Sequence, residues 1–343
     1  MLDIFNGIEK WLKAGKKIAL ATVVDTWRSA PRVVGSAMAI TEDMEIIGSV
    51  SGGCVEGAVI KEALKVMEHG EPQILKFGVK NEDAWTVGLS CGGKITVFVE
   101  RFLGLEDSQK PAWEALRAHI TQNKSCVLVS KMSGTQSDHA LVTSDGASKG
   151  TLVVDDALME MAQRARVNHQ SEVVEHEGAQ LFVQEFPQKN KMVIVGSAHI
   201  SIDLIDLANT FNFETIVIDP RKIFTEETRY ITKPDALHQT WPEEVLPEMT
   251  LDQDTYAVLL THDPKIDDQA LHILLKSEVA YIGCLGSKKT HAKRVQRLQE
   301  AGISEDEIAR IHAPVGVAIN AKTPQEIALS VMGEVVAVKN GEK

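Results

Sequence analysis

Lys191-Met192-Val193-Ile194-Val195-Gly196-Ser197-Ala198-His199-Ile200-Ser201 decides the architecture of the second half of the chain. An apolar strand pattern, Lys191 to Gly196, runs into a glycine turn, and a helical pattern, His199 to Thr210, starts directly after it. A second strand pattern, Glu214 to Ile218, follows. The alternation continues with a strand over Tyr256 to Leu260, a helix over Asp267 to Lys276, a strand over Val279 to Gly283 and a helix over Lys288 to Ala301. Strands and helices of this length in strict alternation predict a doubly wound parallel sheet, Rossmann-like in kind. A last helix, Thr323 to Lys339, opens with Thr323-Pro324-Gln325-Glu326, a threonine N-cap followed by proline at the first helical position.

The first strand-to-helix turn corresponds to a dinucleotide fingerprint, G-x-G-x-x-G/A, with Gly196 first, Ala198 in the second glycine position and Ser201 in the third. The methyl of Ala198 narrows the approach of a pyrophosphate to the backbone. Asp219 ends the second strand, 23 residues after Gly196, where an acid would bond a ribose hydroxyl, and Arg221 could instead meet a phosphate. With Ser197 and His199 this turn is a candidate site for a phosphate or a nucleotide, NAD(P) included. The competing reading is an empty scaffold of the same fold. Two more segments fall at strand ends of the same sheet. Gly283-Cys284-Leu285-Gly286-Ser287-Lys288-Lys289 resembles a small anion nest built from Gly286, the Ser287 hydroxyl and helix N-terminal amides, with two lysines that either contact the anion or are simply solvated. In Thr261-His262-Asp263-Pro264, His262 is either a base or ligand or a member of a hydrogen-bonded turn.

Upstream the pattern is mixed. A helix over Leu2 to Lys13 precedes strand patterns at Lys17 to Val24, Ser36 to Ile40, Glu45 to Val50, Gln73 to Val79, Lys94 to Phe102, Ser125 to Lys131, Ala140 to Thr143 and Gln180 to Phe186. Helical patterns lie at Val55 to Glu68, Pro111 to Gln122 and Asp156 to Arg166. Without regular strand–helix alternation, residues 1–187 read as an α+β domain, joined by the polar linker Pro187 to Lys191 to a second domain over 188–343. No internal repeat or low-complexity tract is found. Two segments of this domain set a cysteine against paired glycines: Ser51-Gly52-Gly53-Cys54-Val55-Glu56-Gly57 and Leu89-Ser90-Cys91-Gly92-Gly93. Paired glycines permit positive φ and close approach to a ligand. A cysteine there can be a nucleophile, a sulfur-transfer site or a soft metal ligand, or else a small buried hydrophobe beside a tight turn. Cys54 is expected in the first turn of the following helix, where free N–H groups and the dipole favour a thiolate.

Charge excludes several classes. Lys and Arg total 36 against 48 Asp and Glu, a net charge of −12, and no basic stretch could track a nucleic-acid backbone. The longest apolar runs are of strand length, so no membrane span is expected, and MLDIFNGIEKWLKAGKK reads as an amphipathic helix rather than a signal sequence. The cysteines at 54, 91, 126 and 284 form no CxxC pair, which suits reduced thiols in the cytoplasm better than disulfides or a structural zinc site.

Assembled, these residues resemble the XdhC/CoxI family, the xanthine dehydrogenase accessory proteins. The most specific stretch is Ile46-Ile47-Gly48-Ser49-Val50-Ser51-Gly52-Gly53-Cys54-Val55-Glu56-Gly57, supported by Ala21-Thr22-Val23, by Ser29-Ala30-Pro31-Arg32 and by Asp83-Ala84-Trp85-Thr86-Val87-Gly88 leading to Cys91. The resemblance continues in Val217-Ile218-Asp219-Pro220-Arg221, Leu260-Thr261-His262-Asp263-Pro264-Lys265, Tyr281-Ile282-Gly283, Leu285-Gly286-Ser287 and Ile311-His312-Ala313-Pro314-Val315-Gly316. It implies a carrier without turnover of its own, which binds molybdenum cofactor, promotes its sulfuration by a cysteine desulfurase and delivers it to a xanthine dehydrogenase-type molybdenum hydroxylase. Cys54 and Cys91, flanked by Gly52, Gly53, Gly92 and Gly93, could then hold the metal end, and Gly196, Arg221, Gly286 and Ser287 the phosphate end. Gly196-Ser197-Ala198-His199 departs from the family's Gly-x-Gly-His, which bears on nucleotide binding more than on the fold. The alternatives are an NAD(P)-dependent oxidoreductase with a redox thiol pair and a non-catalytic nucleotide-sensing regulatory module. A homo-oligomeric state, such as a dimer, is left open.

Overall fold

Small and branched apolar residues alternate along Ile18–Trp27 and let one strand serve two cores. The computed structural model describes residues 1–28, 32–78, 93–135, 137–222 and 230–341, and the chain divides into two units, Met1–Gln188 and Lys189–Lys343. The first unit begins with α1 (Phe5–Lys13), β1 (Ile18–Trp27), β2 (Ala37–Thr41), β3 (Ile46–Gly48), α2 (Glu56–His69), β4 (Gln73–Phe77) and β5 (Lys94–Arg101). After α3 (Lys110–Thr121) come β6 (Cys126–Lys131), β7 (His139–Thr143), β8 (Ser148–Gly150), α4 (Asp156–Val167), β9 (Glu172–His176) and β10 (Ala179–Phe186). Ala19, Ala21 and Val23 face α2, packing with Val59, Ala63 and Val66. Ile18 and Leu20 point the other way, into a core shared with Cys126, Leu128, Leu141 and Phe186 of the second group of strands.

The two groups of strands form antiparallel sheets of identical topology, ordered β3-β2-β1-β5-β4 and β8-β7-β6-β10-β9. In each, three strands lead into a helix and two strands return. α4 covers the outer face of the second sheet through Leu158, Ala162 and Ala165, as α2 covers the first. The absence of an internal repeat in the sequence is therefore corrected by the fold, which carries one. Burial fixes only which face each residue occupies, so the two halves keep their alternation while their identities and connections diverge. The first joins β4 to β5 through residues 78–93; the second joins β9 to β10 through Glu177 and Gly178, both at positive φ as a tight two-residue hairpin requires.

The sheets enclose a buried pair, Glu100 on β5 and His139 on β7, with Nε2 of the histidine 3.0 Å from the nearer carboxylate oxygen. Nδ1 faces Gln109 Oε1 at 3.3 Å, so both ring nitrogens meet acceptors, an arrangement the imidazolium satisfies. Burial would lower the His139 pKa, but the Glu100 carboxylate outweighs it and the value is raised. The pair's contribution is therefore fully present below the unfolded-state value of 6.5 and is lost as pH climbs through the folded value. Glu100→Ala, which leaves His139 buried without its carboxylate partner, should cost about 3–5 kcal/mol where the wild-type pair is charged. Urea unfolding should show a wild-type midpoint that falls above about pH 6.5 and a variant that lacks this slope; parallel profiles would refute the assignment.

The second unit contains β11 (Lys191–Val195), α5 (His199–Thr210), β12 (Glu214–Ile218), β13 (Ala236–His238), α6 (Pro242–Val245), β14 (Thr255–Leu259), α7 (Pro264–Leu274), β15 (Tyr281–Cys284), α8 (Lys288–Glu300), α9 (Glu305–Ile308), β16 (Ile311–His312) and α10 (Pro324–Lys339). Its strands pair in parallel in the order β13-β12-β11-β14-β15-β16, the doubly wound arrangement expected from the alternation. β11 is central, and the strand order reverses between it and β14, where such sheets open a crevice. Leu204, Ile205 and Ala208 of α5 and Val331, Met332 and Val335 of α10 cover one face. Ile266, Ala270, Leu271 and Leu274 of α7 and Leu298 of α8 cover the other.

Candidate functional site

In the first unit, the connection from β3 to α2 wraps around a carboxylate of its own. Glu56, the first residue of α2, accepts hydrogen bonds from the amides of Ser51 (2.9 Å), Gly53 (2.9 Å) and Val55 (3.2 Å), and from the hydroxyls of Ser49 (2.6 Å) and Ser51 (2.5 Å). The same two hydroxyls accept from backbone: Ser51 Oγ from Cys54 and Val55, each at 3.0 Å, and Ser49 Oγ from Gly52 at 2.8 Å. Gly52 and Gly53 have φ of 74° and 116°, the left-handed geometry expected of the paired glycines. Burial would raise the Glu56 carboxyl, but the bonds from Ser49 and Ser51 outweigh it and hold the pKa at about 2. Arg32 fastens the loop from the β1–β2 side, its Nε donating to the Ser49 carbonyl at 3.2 Å.

Cys54 rides on this braced loop, half-buried. It precedes Val55, the N-cap of α2, and so lies outside the first helical turn in which the sequence reading placed it. The physical reason is Glu56, which fills the nest of amides that was to face the thiolate. What the loop supplies is position. The Cys54 N–H is fixed by Ser51, its side chain packs at the edge of the α2 core, and beside it, among the described residues and apart from its own chain neighbours, Gly53 has no atom within 4 Å of where a Cβ would stand. Cys126 and Cys284 differ in kind. Both are buried, and burial pushes each thiol up to about 12, so they stay protonated and inert. Among the described cysteines, Cys54 alone is reachable.

Cys91 and Gly92 lie outside the described residues. Gly93 is buried where β5 begins, against the backbone of Gly78. Strand register does place the flanking ends. Phe77 pairs with Ile95, Trp27 with Lys94 and Met38 with Gly48, so the ends of β4 and β3 lie at the same end of the sheet. In the second sheet the corresponding connections meet: Asp155, the N-cap of α4, lies 3.1 Å from His176 at the β9–β10 hairpin.

In the second unit the Gly196 turn is tightly built. Gly196 has φ of 105°, and a Cβ there would stand 2.7 Å from Thr261 Cγ2, so close approach of β11 to β14 requires glycine. Ala198 is the N-cap of α5 and offers no side-chain cap, while His199 is exposed at the first helical position. Asp219 is fully buried beneath the turn. Its Oδ2 accepts from the Ser197 amide (2.8 Å) and Arg221 Nη2 (2.8 Å), and its Oδ1 from Arg221 Nε (2.9 Å) and the Arg221 amide (3.0 Å). Burial would raise this carboxyl, and Arg221 and the Ser197 amide outweigh it, so its pKa is lowered. The acid expected to meet a ribose is thus engaged in holding the turn to β12, and the arginine expected to meet a phosphate is folded back on it.

The strand ends of β14 and β15 border a cleft of about 240 Å³ between α7 and α8, lined by His262, Asp267, Lys289, Lys293, Arg294 and Arg297, with Pro264 and Thr290. His262 is exposed at φ of 60°, in the turn that Thr261 secures by donating to Asp267 Oδ1 at 2.5 Å. Ser287 caps α8, accepting from the Thr290 amide at 3.2 Å, and Gly286 has φ of 139° with Thr290 packed against its open side.

Two family descriptions match: the XdhC and CoxI family over residues 11–78, which includes Arg32 and the whole Cys54 loop, and the XdhC Rossmann domain over residues 192–335. This chain belongs to the XdhC and CoxI family. It is 26% identical over 334 residues to a probable xanthine dehydrogenase subunit from Bacillus subtilis (strain 168), spanning 97% of this chain and 96% of that one. It is also 26% identical over 328 residues to the molybdenum cofactor insertion chaperone PaoD of Escherichia coli (strain K12), spanning 96% of this chain and 85% of PaoD. A solved structure from Bacillus halodurans, described as a xanthine dehydrogenase, superposes over all of this chain and 97% of its own with a TM-score of 0.78; at 24% identity this speaks to the fold. Within the XdhC and CoxI family stretch, Ser49, Ser51 and Glu56 have roles that sequence reasoning missed, although all three sit in its most specific motif. Arg294 was missed too. Its signal was the basic stripe Lys289, Lys293 and Arg297, spaced four residues apart along α8.

Proposed function

We propose that this chain is an accessory protein of a molybdenum hydroxylase of the xanthine dehydrogenase type, binding molybdenum cofactor, supporting its sulfuration by a cysteine desulfurase and handing it to the hydroxylase in the cytoplasm. The observation that carries the reading is the reachable Cys54 thiol, held on a loop that its own glutamate braces, in a family with a relative named as a cofactor insertion chaperone. The cargo brings a soft, sulfur-ligated metal centre, for which a thiol is a suitable donor, and a phosphate, for which the cationic cleft of the second unit is suitable. Cys54 offers its sulfur and the loop holds it at a fixed place. That Cys91 shares this site is supported by the second sheet, where the matching connections bring Asp155 and His176 together. The engagement of Asp219 with Ser197 and Arg221 weighs against a dinucleotide-dependent oxidoreductase.

The test is reconstitution. A sulfur-free hydroxylase should gain activity when given this chain, a source of cofactor and a desulfurase, and remain inactive when the chain is omitted. Mass spectrometry of the purified chain should find a pterin rather than a nicotinamide. Turnover of NAD(P)H by the chain alone would support the oxidoreductase instead.

A further inference from the structure

Among the described residues, Arg294 is the most deeply buried cation of the second unit, 2% exposed, yet most of its guanidinium is unanswered. Nη2 donates to the Leu285 carbonyl at 3.0 Å and stands 3.5 Å from Asp267 Oδ2, whereas Nε and Nη1 have no hydrogen-bond partner among the described residues. Buried donors left in this state cost free energy, and a charged fork does so more than a neutral group. Asp267 does not remove the deficit: burial raises its pKa, and one of its oxygens is taken by Thr261.

The helix that carries Arg294 is charged against its own dipole. α8 starts with Lys288 and Lys289, continues with Lys293, Arg294 and Arg297, and has its single carboxylate, Glu300, at the C-terminal end. Cations at a helix N-terminus and an anion at its C-terminus are both unfavourable placements. Arg297 is answered by Asp268 at 2.6 and 2.9 Å, but Lys289 and Lys293 are exposed along the cleft. In a chain of net charge −12, such a concentration of cations around a buried, unanswered guanidinium asks for an anion.

We propose that the α7–α8 cleft binds the phosphate of a phosphate monoester. Arg294 presents planar N–H donors that match phosphate oxygens, and Lys289 and Lys293 neutralise the remaining charge from the open side. The cleft volume of about 240 Å³ leaves room for the phosphoryl group and the first atoms of the ester. This narrows the phosphate end of the site, expected over Gly196, Arg221, Gly286 and Ser287, to the β15–α8 side of the sheet. It rests on the accessory reading only for which ester enters, a pterin phosphate or a nucleotide.

The full-length chain is titrated by calorimetry with inorganic phosphate, and in parallel with a nucleoside monophosphate and with molybdopterin before and after enzymatic removal of its phosphate. Because Lys289 and Lys293 are exposed, Lys289→Ala with Lys293→Ala should fold normally, checked by thermal melting, and should weaken phosphate binding by about tenfold or more. Arg294→Lys, which keeps the charge and loses the fork, should weaken it similarly, and Arg221→Ala should leave it unchanged. Absence of phosphate binding to the wild type, or loss through Arg221→Ala with retention in the double lysine variant, overturns the site. If phosphate binding depends on the lysines while intact and dephosphorylated molybdopterin bind equally, the cleft stands and the pterin assignment fails.

Discussion

Cys54→Ala is expected to lower activation of a sulfur-free hydroxylase by about tenfold or more, the effect of losing one strong polar or metal contact of at least about 1.4 kcal/mol. Stability should change little. Cys54 is half-buried at the edge of its core, so removing one sulfur costs about 1 kcal/mol at most. Retention of cofactor on the chain should fall with activation, since both depend on the same thiol. Cys126→Ala is the control: that thiol is buried on β6 and kept protonated, so its loss should lower the melting temperature by a few degrees and leave activation intact. The measurements are hydroxylase activation in the presence of a desulfurase and cofactor content by mass spectrometry. If Cys54→Ala activates as well as the wild type, the cysteine is structural and the cargo is held by its phosphate alone.

The parallel sheet was legible because its longer strands and its helices write different periods into the sequence. β12 and α5 fall on the expected residues, Glu214–Ile218 and His199–Thr210. α7 starts at Pro264 rather than Asp267, capped by Asp263, whose carboxylate accepts from the Lys265 amide at 2.9 Å. This is the same cap-then-proline signal that located α10 through Thr323 and Pro324. β9 escaped notice because no residue of Glu172–His176 is buried, and β13 and β16 are too short to show a period. The repeated sheets of the first unit were hidden for a different reason: antiparallel pairing depends on partners distant in sequence, which local periodicity does not report. At the site, composition revealed the glycines and the cysteine. The carboxylate at the centre of the loop was invisible, because Glu56 reads as an ordinary acid in the first turn of a helix until its five donors are seen together.

That carboxylate carries the other large expected effect. Glu56→Ala removes the acceptor for three amides and two hydroxyls, Gly53 among them, and leaves the Gly52 amide held by Ser49 Oγ alone. Hydrogen bonds to a charged group are the stronger class, and the N-terminal acid of α2 is lost with them, so the local cost should be about 2–3 kcal/mol. The thiol remains but is no longer positioned, and activation of the hydroxylase should fall nearly as far as in Cys54→Ala. Glu56→Gln should recover little, because its NH₂ group turns donors towards donors. Glu56→Asp, shorter by one methylene, should no longer span Ser49 and Ser51 together and should fall between. Acid offers the same test without mutation. The folded carboxyl titrates at about 2 against an ordinary 4.5, so its contribution is complete above about pH 4.5 and is lost as pH falls towards 2. Amide hydrogen exchange at Ser51 and Gly53, corrected for the intrinsic acid dependence, should lose protection across that window in the wild type and should be unprotected at every pH in Glu56→Ala. A variant with wild-type protection and wild-type activation would show that the loop holds Cys54 without its glutamate.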